Sequence, residues 1–190
     1  EMNTGFSAAV NAGILAAASP YIALLNNDTE VHPLWLKELL GALEADPKAG
    51  SAASKILFSH DSRLVNSAGD EFSWFGVAYQ RGNRSIGGTG YNHPCFVFSA
   101  CAGAALYRRE VFDKVGLFDE SFFAYMEDVD LGFRLQLDGY PCLYVPSAIV
   151  YHKHQQTSNR IPQLRVYWTE RNKCLVLIKN LPAFAFLCTF

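Results

Sequence analysis

Apolar positions recur with a helical period at Phe6, Val10, Ile14 and Ala17, with Asn3 or Thr4 as a preceding cap and Ser19-Pro20 as the stop. This spacing predicts a helix over 4–18, whose many alanines suit close packing on a sheet. The next run, Tyr21-Ile22-Ala23-Leu24-Leu25, is apolar without alternation and empties at once into Asn26-Asn27-Asp28-Thr29-Glu30. A buried parallel strand leading into a polar loop reads this way. Pro33, at a first helical position, then opens a helix whose apolar residues are Leu34, Leu36, Leu39, Leu40 and Leu43, ending before Asp46-Pro47. Helix, strand, loop and helix in that order predict an α/β sheet.

Further along, a strand is expected over 52–58, and shorter hairpin-like strands over 65–68 and 72–80 around Gly69-Asp70. Glycines at 82, 87, 88 and 90 make 81–94 the expected mobile loop. Phe96-Val97-Phe98 and Ala104-Ala105-Leu106-Tyr107 flank Gly103, and 109–115 reads as a short helix closed by Gly116. An amphipathic helix over 127–138 stops at Gly139, and strands follow over 141–145 and 148–151. There is no internal repeat and no low-complexity segment.

Composition narrows the class. With 190 residues, half of them hydrophobic and 18% charged, the chain suits one folded domain and excludes disorder. A net charge of −2 provides no general attraction for nucleic acid. The cysteines at 95, 101, 142, 174 and 188 form no C-x-x-C pair and leave an odd one, so neither a zinc knuckle nor a disulfide framework is indicated, and a reducing, cytoplasmic compartment is the simpler reading. The chain starts at Glu1 in what reads as a helix entry, without a signal peptide, so an upstream portion is expected. The segment 174–190 is apolar but carries Lys179, Asn180 and Pro182, short of the roughly 20 uninterrupted residues of a membrane span. An interfacial helix, the first turns of a membrane segment and a terminal core helix all remain open for it, and the expected division is 1–172 and 173–190.

The candidate chemistry sits in three places. Glu127, Asp128 and Asp130 place three carboxylates in four residues between Phe122-Phe123-Ala124-Tyr125 and Leu131, Phe133 and Leu135. At the edge of a core their basicity would be tuned by burial and mutual repulsion, whereas a plain acidic start to a helix would complement the macrodipole. Asp28, in the loop beyond a strand's carboxyl end, is placed to hold a divalent cation together with substrate phosphates, or else forms an Asx turn that caps the next helix. His152 is the preferred additional ligand, with His154 the alternative that spacing does not separate.

The order of these pieces resembles that of the inverting family 2 glycosyltransferases, particularly rhamnosyltransferase-like members. It runs through Asn3-x-Gly5 and Asn11-x-Gly13, Leu24-Leu25-Asn26-Asn27-Asp28-Thr29, and Gly103-Ala104-Ala105-Leu106. It continues through Val115-Gly116-Leu117-Phe118-Asp119-Glu120, Glu127-Asp128-Val129-Asp130, Val150-Tyr151-His152, and Tyr167-Trp168 with Arg171-Asn172. The resemblance implies a GT-A fold, a Rossmann-like mixed α/β sheet flanked by helices, here without its first nucleotide-binding strand or strands. In that family an Asp-x-Asp motif holds Mg2+ or Mn2+ on the donor diphosphate. It would read Asn26-Asn27-Asp28, leaving Asp28 as the anionic ligand, with His152 adding a further one. Asp128 matches the catalytic base, with Glu127 beside it and Asp130 in support. Asn11 would lie near the donor, and Gly103 and Ala104 near its sugar. The implied partners are a nucleotide-diphosphate sugar donor and a glycan or lipid-linked acceptor. The implied setting is bacterial cell-surface polysaccharide synthesis, with peripheral association at the inner face of the plasma membrane. The family's opening strand, apolar-Ile-Pro-x-Tyr-Asn, does not occur before Glu1, so a fragment of a longer enzyme is expected.

Two rival readings belong to other classes. Trp74, Phe75 and Tyr79 could stack on sugar rings in a non-catalytic binding module, which has no need of the Glu127-Asp128 pair. Asp28 and Asp128 could serve a metal-dependent phosphohydrolase, although such sites usually gather more carboxylates or two metals.

Overall fold

The computed structural model describes residues 3–73, 76–86, 90–153 and 162–182. In chain order the elements are α1 (Gly5–Ala16), β1 (Tyr21–Leu25), β2 (Thr29–Val31), α2 (Trp35–Ala45), β3 (Ser51–Phe58), β4 (Asp61–Ser67), β5 (Asp70–Phe72) and β6 (Ala78–Gln80). There follow β7 (Cys95–Val97), β8 (Ala104–Arg108), α3 (Arg109–Val115), a 3-10 turn (Glu120–Phe122), α4 (Glu127–Leu137), β9 (Cys142–His152) and α5 (Pro162–Asn180).

Seven strands form one mixed sheet in the order β1-β8-β3-β9-β2, with β4 adding to β3 and β7 to β9. β3 and β9 pair in parallel, and β8 runs antiparallel to both β1 and β3. β1, β3 and β9 therefore end on the same side. Leu25 lies opposite Ala104, Phe58 opposite His152, and Thr29 opposite His152. The loop after β1, the approach to β8 and the end of β9 thus gather at one end of the sheet, where ligands of open α/β sheets bind. The expected mixed α/β architecture is present.

Each face of the sheet is covered. On one, α2 buries Trp35, Leu39 and Leu43 against Ala52, Ile56, Leu106, Val145 and Val150. On the other, Ile14, Val111 and Leu131 from α1, α3 and α4 close over Ala53, Ala105, Tyr107 and Tyr144. A third cluster joins Val129 and Phe133 of α4 to Val176 of α5. Beside it the Phe72, Phe98 and Phe133 rings meet at centroid distances of 4.7 to 5.2 Å.

Several expectations change. The run 21–25 is not a parallel strand buried on both sides: it pairs antiparallel with β8, and Leu25 is 45% exposed. β8 is its one partner among the described residues, so an all-apolar run keeps an open side. Pro33 lies in a turn closed by Trp35 N–H to the His32 carbonyl (2.8 Å), and α2 starts two residues later at Trp35, whose indole donates to Ser54 Oγ (2.7 Å). The expected strand over 72–80 is split: β5 and β6 pair with each other, and Asp70 is a strand residue instead of a turn residue. The strands expected over 141–145 and 148–151 are one strand, because a register shift opposite Ser54 and Lys55 absorbs the interruption around Pro146 as a bulge.

The described parts of 81–94 make contacts with β4 and with each other. The Ser85 carbonyl accepts from Val65 N–H, Arg84 N–H donates to the Val65 carbonyl, and the Arg81 guanidinium lies 4.9 Å from the Tyr91 ring centre. α5 continues through residues 172 and 173 without a break. No helix among the described residues is long and apolar enough to cross a membrane.

Candidate active site

The first corner of the site is assembled by strand register. β2 pairs with the last three residues of β9, and the Asp28 carbonyl accepts from Lys153 N–H (2.9 Å). This brings Asp28 Oδ1 to 3.1 Å from His152 Nε2, across 124 positions of sequence. The turn before β2 is closed by the Asn26 carbonyl, which accepts from Thr29 N–H and Thr29 Oγ1, so the Asp28 carboxylate serves neither that turn nor the cap of α2, whose N-cap residue is Leu34. On the far side of the ring, His152 Nδ1 lies 2.8 Å from Oδ1 of the buried Asn66. An amide oxygen only accepts, so Nδ1 carries the proton and, in the neutral ring, Nε2 turns its lone pair toward a carboxylate oxygen. Two acceptors at this distance are compatible with a cation between or beside them, which is the donor chemistry expected for manganese or magnesium shared with substrate phosphates. Among the described residues no group of three or more His, Cys, Asp or Glu forms a self-sufficient metal site, and His154 lies outside them.

Asn26 extends this corner toward the next. Its N–H donates to the Gly103 carbonyl (2.9 Å), and a Cβ on Gly103 would stand 3.3 Å from the Asn26 amide nitrogen, so glycine lets the two loops touch. Asn27 is exposed, and Ala104 is buried at the start of β8. One residue before Gly103, the Ala102 N–H donates to Asp128 Oδ2 (3.1 Å). Asn26, Gly103 and Ala102 thus form a continuous connection between the two corners that ends on the Asp128 carboxylate.

The second corner is built by desolvation. Glu127 is 6% exposed, and its Oε2 has no hydrogen-bond partner among the described residues. Burial, and then the charge of Asp128, push its carboxyl up to about 8. Burial also raises Asp128, while the Ala102 and Val129 N–H groups favour its ionised form. Asp70 is a neighbour that sequence reasoning missed. It is buried, accepts from Ser99 Oγ (3.0 Å), and is raised well above the ordinary carboxylate range by burial and then by Asp128. Burial and the charges of Asp70 and Asp128 likewise raise the Cys101 thiol. Asp130 faces away and serves as an anchor. Fully buried, it pairs with Arg134 and Lys179, each at 3.0 Å, and accepts from Asn180, which ties α4 to α5.

Asn11, on α1, bonds elsewhere. It is buried, its Nδ2 donates to the Phe118 carbonyl (2.8 Å) and to Glu120 Oε1 (3.1 Å), and its Oδ1 accepts from Phe118 N–H. Both amide hydrogens are used within the fold, where they hold α1 to Phe118 and to Glu120 at the start of the 3-10 turn. Trp74 and Phe75 lie outside the described residues, and Tyr79 donates to Glu71 Oε2 (2.6 Å). Asn66 and Asp70 were visible in sequence only as isolated polar residues in the otherwise small and apolar stretch 64–70. A buried polar residue in such a run is the informative signal.

Comparison with known proteins identifies the family and the fold. The family model described as Glycosyl transferase family 2 matches residues 1–116. An N-acetylglucosaminyl-diphospho-decaprenol L-rhamnosyltransferase of Mycobacterium tuberculosis (strain ATCC 25618 / H37Rv) is 53% identical over 57 residues, 30% of this chain and 19% of that protein. The O-antigen biosynthesis protein RfbC of Myxococcus xanthus is 32% identical over 162 residues, 80% of this chain and 12% of that protein. Among solved structures, GalNAc-T7 with UDP, GalNAc and Mn2+ superposes with a TM-score of 0.67 at 17% identity, over 93% of this chain and 35% of that one. The mannosyltransferase PcManGT from Pyrobaculum calidifontis, in complex with GDP-Man and Mn2+, gives 0.61 at 14%, over 94% and 45%. The chain spans about a fifth of the length of the mycobacterial relative.

Proposed function

The chain belongs to glycosyl transferase family 2, and from that premise we propose that it carries the reacting half of an enzyme that moves a sugar from a nucleoside-diphosphate donor to an acceptor hydroxyl with inversion. The observation that carries the reading is the bridge from the Asp28–His152 pair through Asn26, Gly103 and Ala102 to Asp128, which sets a cation-binding corner and a desolvated carboxylate at one end of one sheet.

In this reading Asp128 accepts the proton of the acceptor hydroxyl as that oxygen attacks the anomeric carbon from the face opposite the diphosphate. Burial raises its basicity, and two backbone N–H donors favour its ionised form. Burial, and then the charge of Asp128, raise Glu127 and Asp70, which favours their protonated forms beside it. Asp28 and His152 would hold Mg2+ or Mn2+, which supplies charge neutralisation for the departing diphosphate. One carboxylate suffices because a single displacement forms no covalent glycosyl intermediate. Gly103 and Ala104 border the donor sugar, and Asn26 and Asn27 the diphosphate.

The mycobacterial relative's name points to a lipid-linked diphospho-sugar acceptor, and the Myxococcus relative's to O-antigen synthesis. We place this chain's acceptor in the same chemical class: a lipid-linked or growing surface glycan met at the cytoplasmic face of the membrane, with 1–172 as the catalytic part and 173–190 as its apolar continuation. The test is to incubate the full-length protein with nucleotide sugars, Mn2+ or Mg2+, and a lipid-linked acceptor extract. Acceptor-dependent release of nucleoside diphosphate, with an inverted linkage in the product, is the expected result. Release without acceptor would point to a phosphohydrolase, and donor binding without release to a binding module.

A further inference from the structure

The six residues before Glu127 adopt a costly backbone path. Phe123, Tyr125 and Met126 all have positive φ, at 63°, 72° and 69°. Non-glycine residues in such regions cost on the order of 1–3 kcal/mol each and persist where their surroundings over-determine them. Here the surroundings are one buried side chain and its neighbours. The Asn172 amide nitrogen lies 2.9, 2.9 and 2.7 Å from the carbonyls of Phe122, Ala124 and Tyr125, and Asn172 has no exposed surface. Its Oδ1 accepts from Arg171 Nε, and Arg171 Nη2 donates to the carbonyls of Ser121 and Phe122. The Phe123 carbonyl accepts from Phe6 N–H, and the Met126 carbonyl from Asp130 N–H. Every carbonyl from Ser121 to Met126 is therefore accounted for, three of them at one amide. Trp168, one turn earlier on α5, covers the same loop, its ring 4.7 Å from Phe123 and stacked at 6.5 Å on Tyr125.

We propose that Asn172 is a positioning residue for the reacting carboxylate: by drawing the three carbonyls together it holds the left-handed loop that aims the first turn of α4, and with it Asp128, at Ala102. The inference rests on Asp128 being the base. The carbonyls converge on one side only because the residues between them are left-handed, and a short side chain carrying two N–H donors is what such a convergence accepts. Aspartate would set a carboxylate among carbonyls, and alanine would leave buried acceptors unsatisfied. Asn172 touches no reacting atom in this scheme.

The Asp128–Ala102 hydrogen bond supplies a readout that needs no turnover, because exchange of the Ala102 amide proton reports whether the carboxylate is still in place. We compare Asn172→Ala and the milder Asn172→Ser, which retains one donor, with Leu177→Ala. Leu177→Ala loosens the same helix where the Leu177 side chain borders Gly76. The expected result is Ala102 exchange accelerated about tenfold or more in Asn172→Ala and partly in Asn172→Ser, with Leu177→Ala at the wild-type rate. In the full-length enzyme kcat should fall about 100-fold in Asn172→Ala while the donor KM stays within about threefold, as a misaimed but intact group predicts. Unchanged Ala102 exchange in the Asn172 variants would overturn the proposal, as would equal acceleration in Leu177→Ala at a matched loss of Tm. Should Asn172→Ala fail to fold, Asn172→Ser carries the test alone. Failure of the wild-type enzyme to transfer sugar would instead count against the catalytic reading and leave the exchange result standing by itself.

Discussion

At the Asp28–His152 corner the side chains are set by strand register, whereas at Glu127–Asp128 they are set by a loop held away from its preferred backbone conformation. The first is polar and open enough for a substrate to complete it, since two protein donors leave most of a cation's coordination shell to phosphates and water. The second is closed: burial raises all three of its carboxyls, and the Ala102 and Val129 N–H groups favour the ionised form at Asp128. A corner that must accept a changing ligand tolerates plain geometry. A corner that must hold one charged atom in one place uses strain, packing and a buried amide.

Four experiments would break or sharpen this contrast. The largest effect is expected for Asp128→Asn, which should lower kcat by about a thousandfold or more while leaving Mn2+-dependent donor binding within about threefold; steady-state kinetics and calorimetry separate the two. Transfer near the wild-type rate would remove Asp128 from the role and erase the distinction between the corners. Next, His152→Ala or Asp28→Asn should weaken Mn2+ binding in the presence of nucleoside diphosphate about 100-fold, and Asn66→Ala about tenfold through loss of ring orientation, all read by titration calorimetry. Equal effects on metal-free folding would show that the pair is only a strand clamp.

A smaller, purely structural effect is expected at the joint between α4 and the Asp70 segment. A Cβ on Gly132 would stand 2.3 Å from Ser99 Cβ, so Gly132→Ala should cost about 1–3 kcal/mol and lower Tm, and loosen the Ser99–Asp70 hydrogen bond. The last prediction concerns pH. In the fold Glu127 keeps its proton up to about 8, while the unfolded chain releases it near the ordinary value of 4.5. Between those values the native state binds more protons than the unfolded one, so stability should fall as pH rises, by up to about 1.4 kcal/mol per unit from this group. Denaturation midpoints across that window should fall toward alkaline pH, less steeply in Glu127→Gln; a wild-type midpoint that rises would contradict the assignment.

The parts of this molecule legible in its sequence were those with a long period or a punctuating residue. α2 and β3 show their apolar patterns, Gly116 and Gly139 close their helices, and the Glu127-Asp128 pair and Asp28 stand out by composition. β2 was not legible, because Thr29-Glu30-Val31 is three residues long and half polar, and its only reason to be a strand is the edge of β9. Asn66, Asp70 and Asn172 were missed as site residues for a related reason. Each is an ordinary polar residue until the fold gives it a buried partner, His152, Ser99 and the loop carbonyls respectively. Asn11 shows the same dependence, since its amide finds its partners Phe118 and Glu120 more than 100 positions away.

The three-residue ladder between β2 and β9 has a consequence for how the chain can vary. It closes a loop between residues 124 positions apart at their nearest functional pair. The entropy of closing so long a loop grows only with the logarithm of its length, so lengthening the surface turns inside it by roughly a dozen residues would cost about 0.1 kcal/mol. The surface turns between them can therefore be remodelled over generations almost without loosening the Asp28–His152 corner.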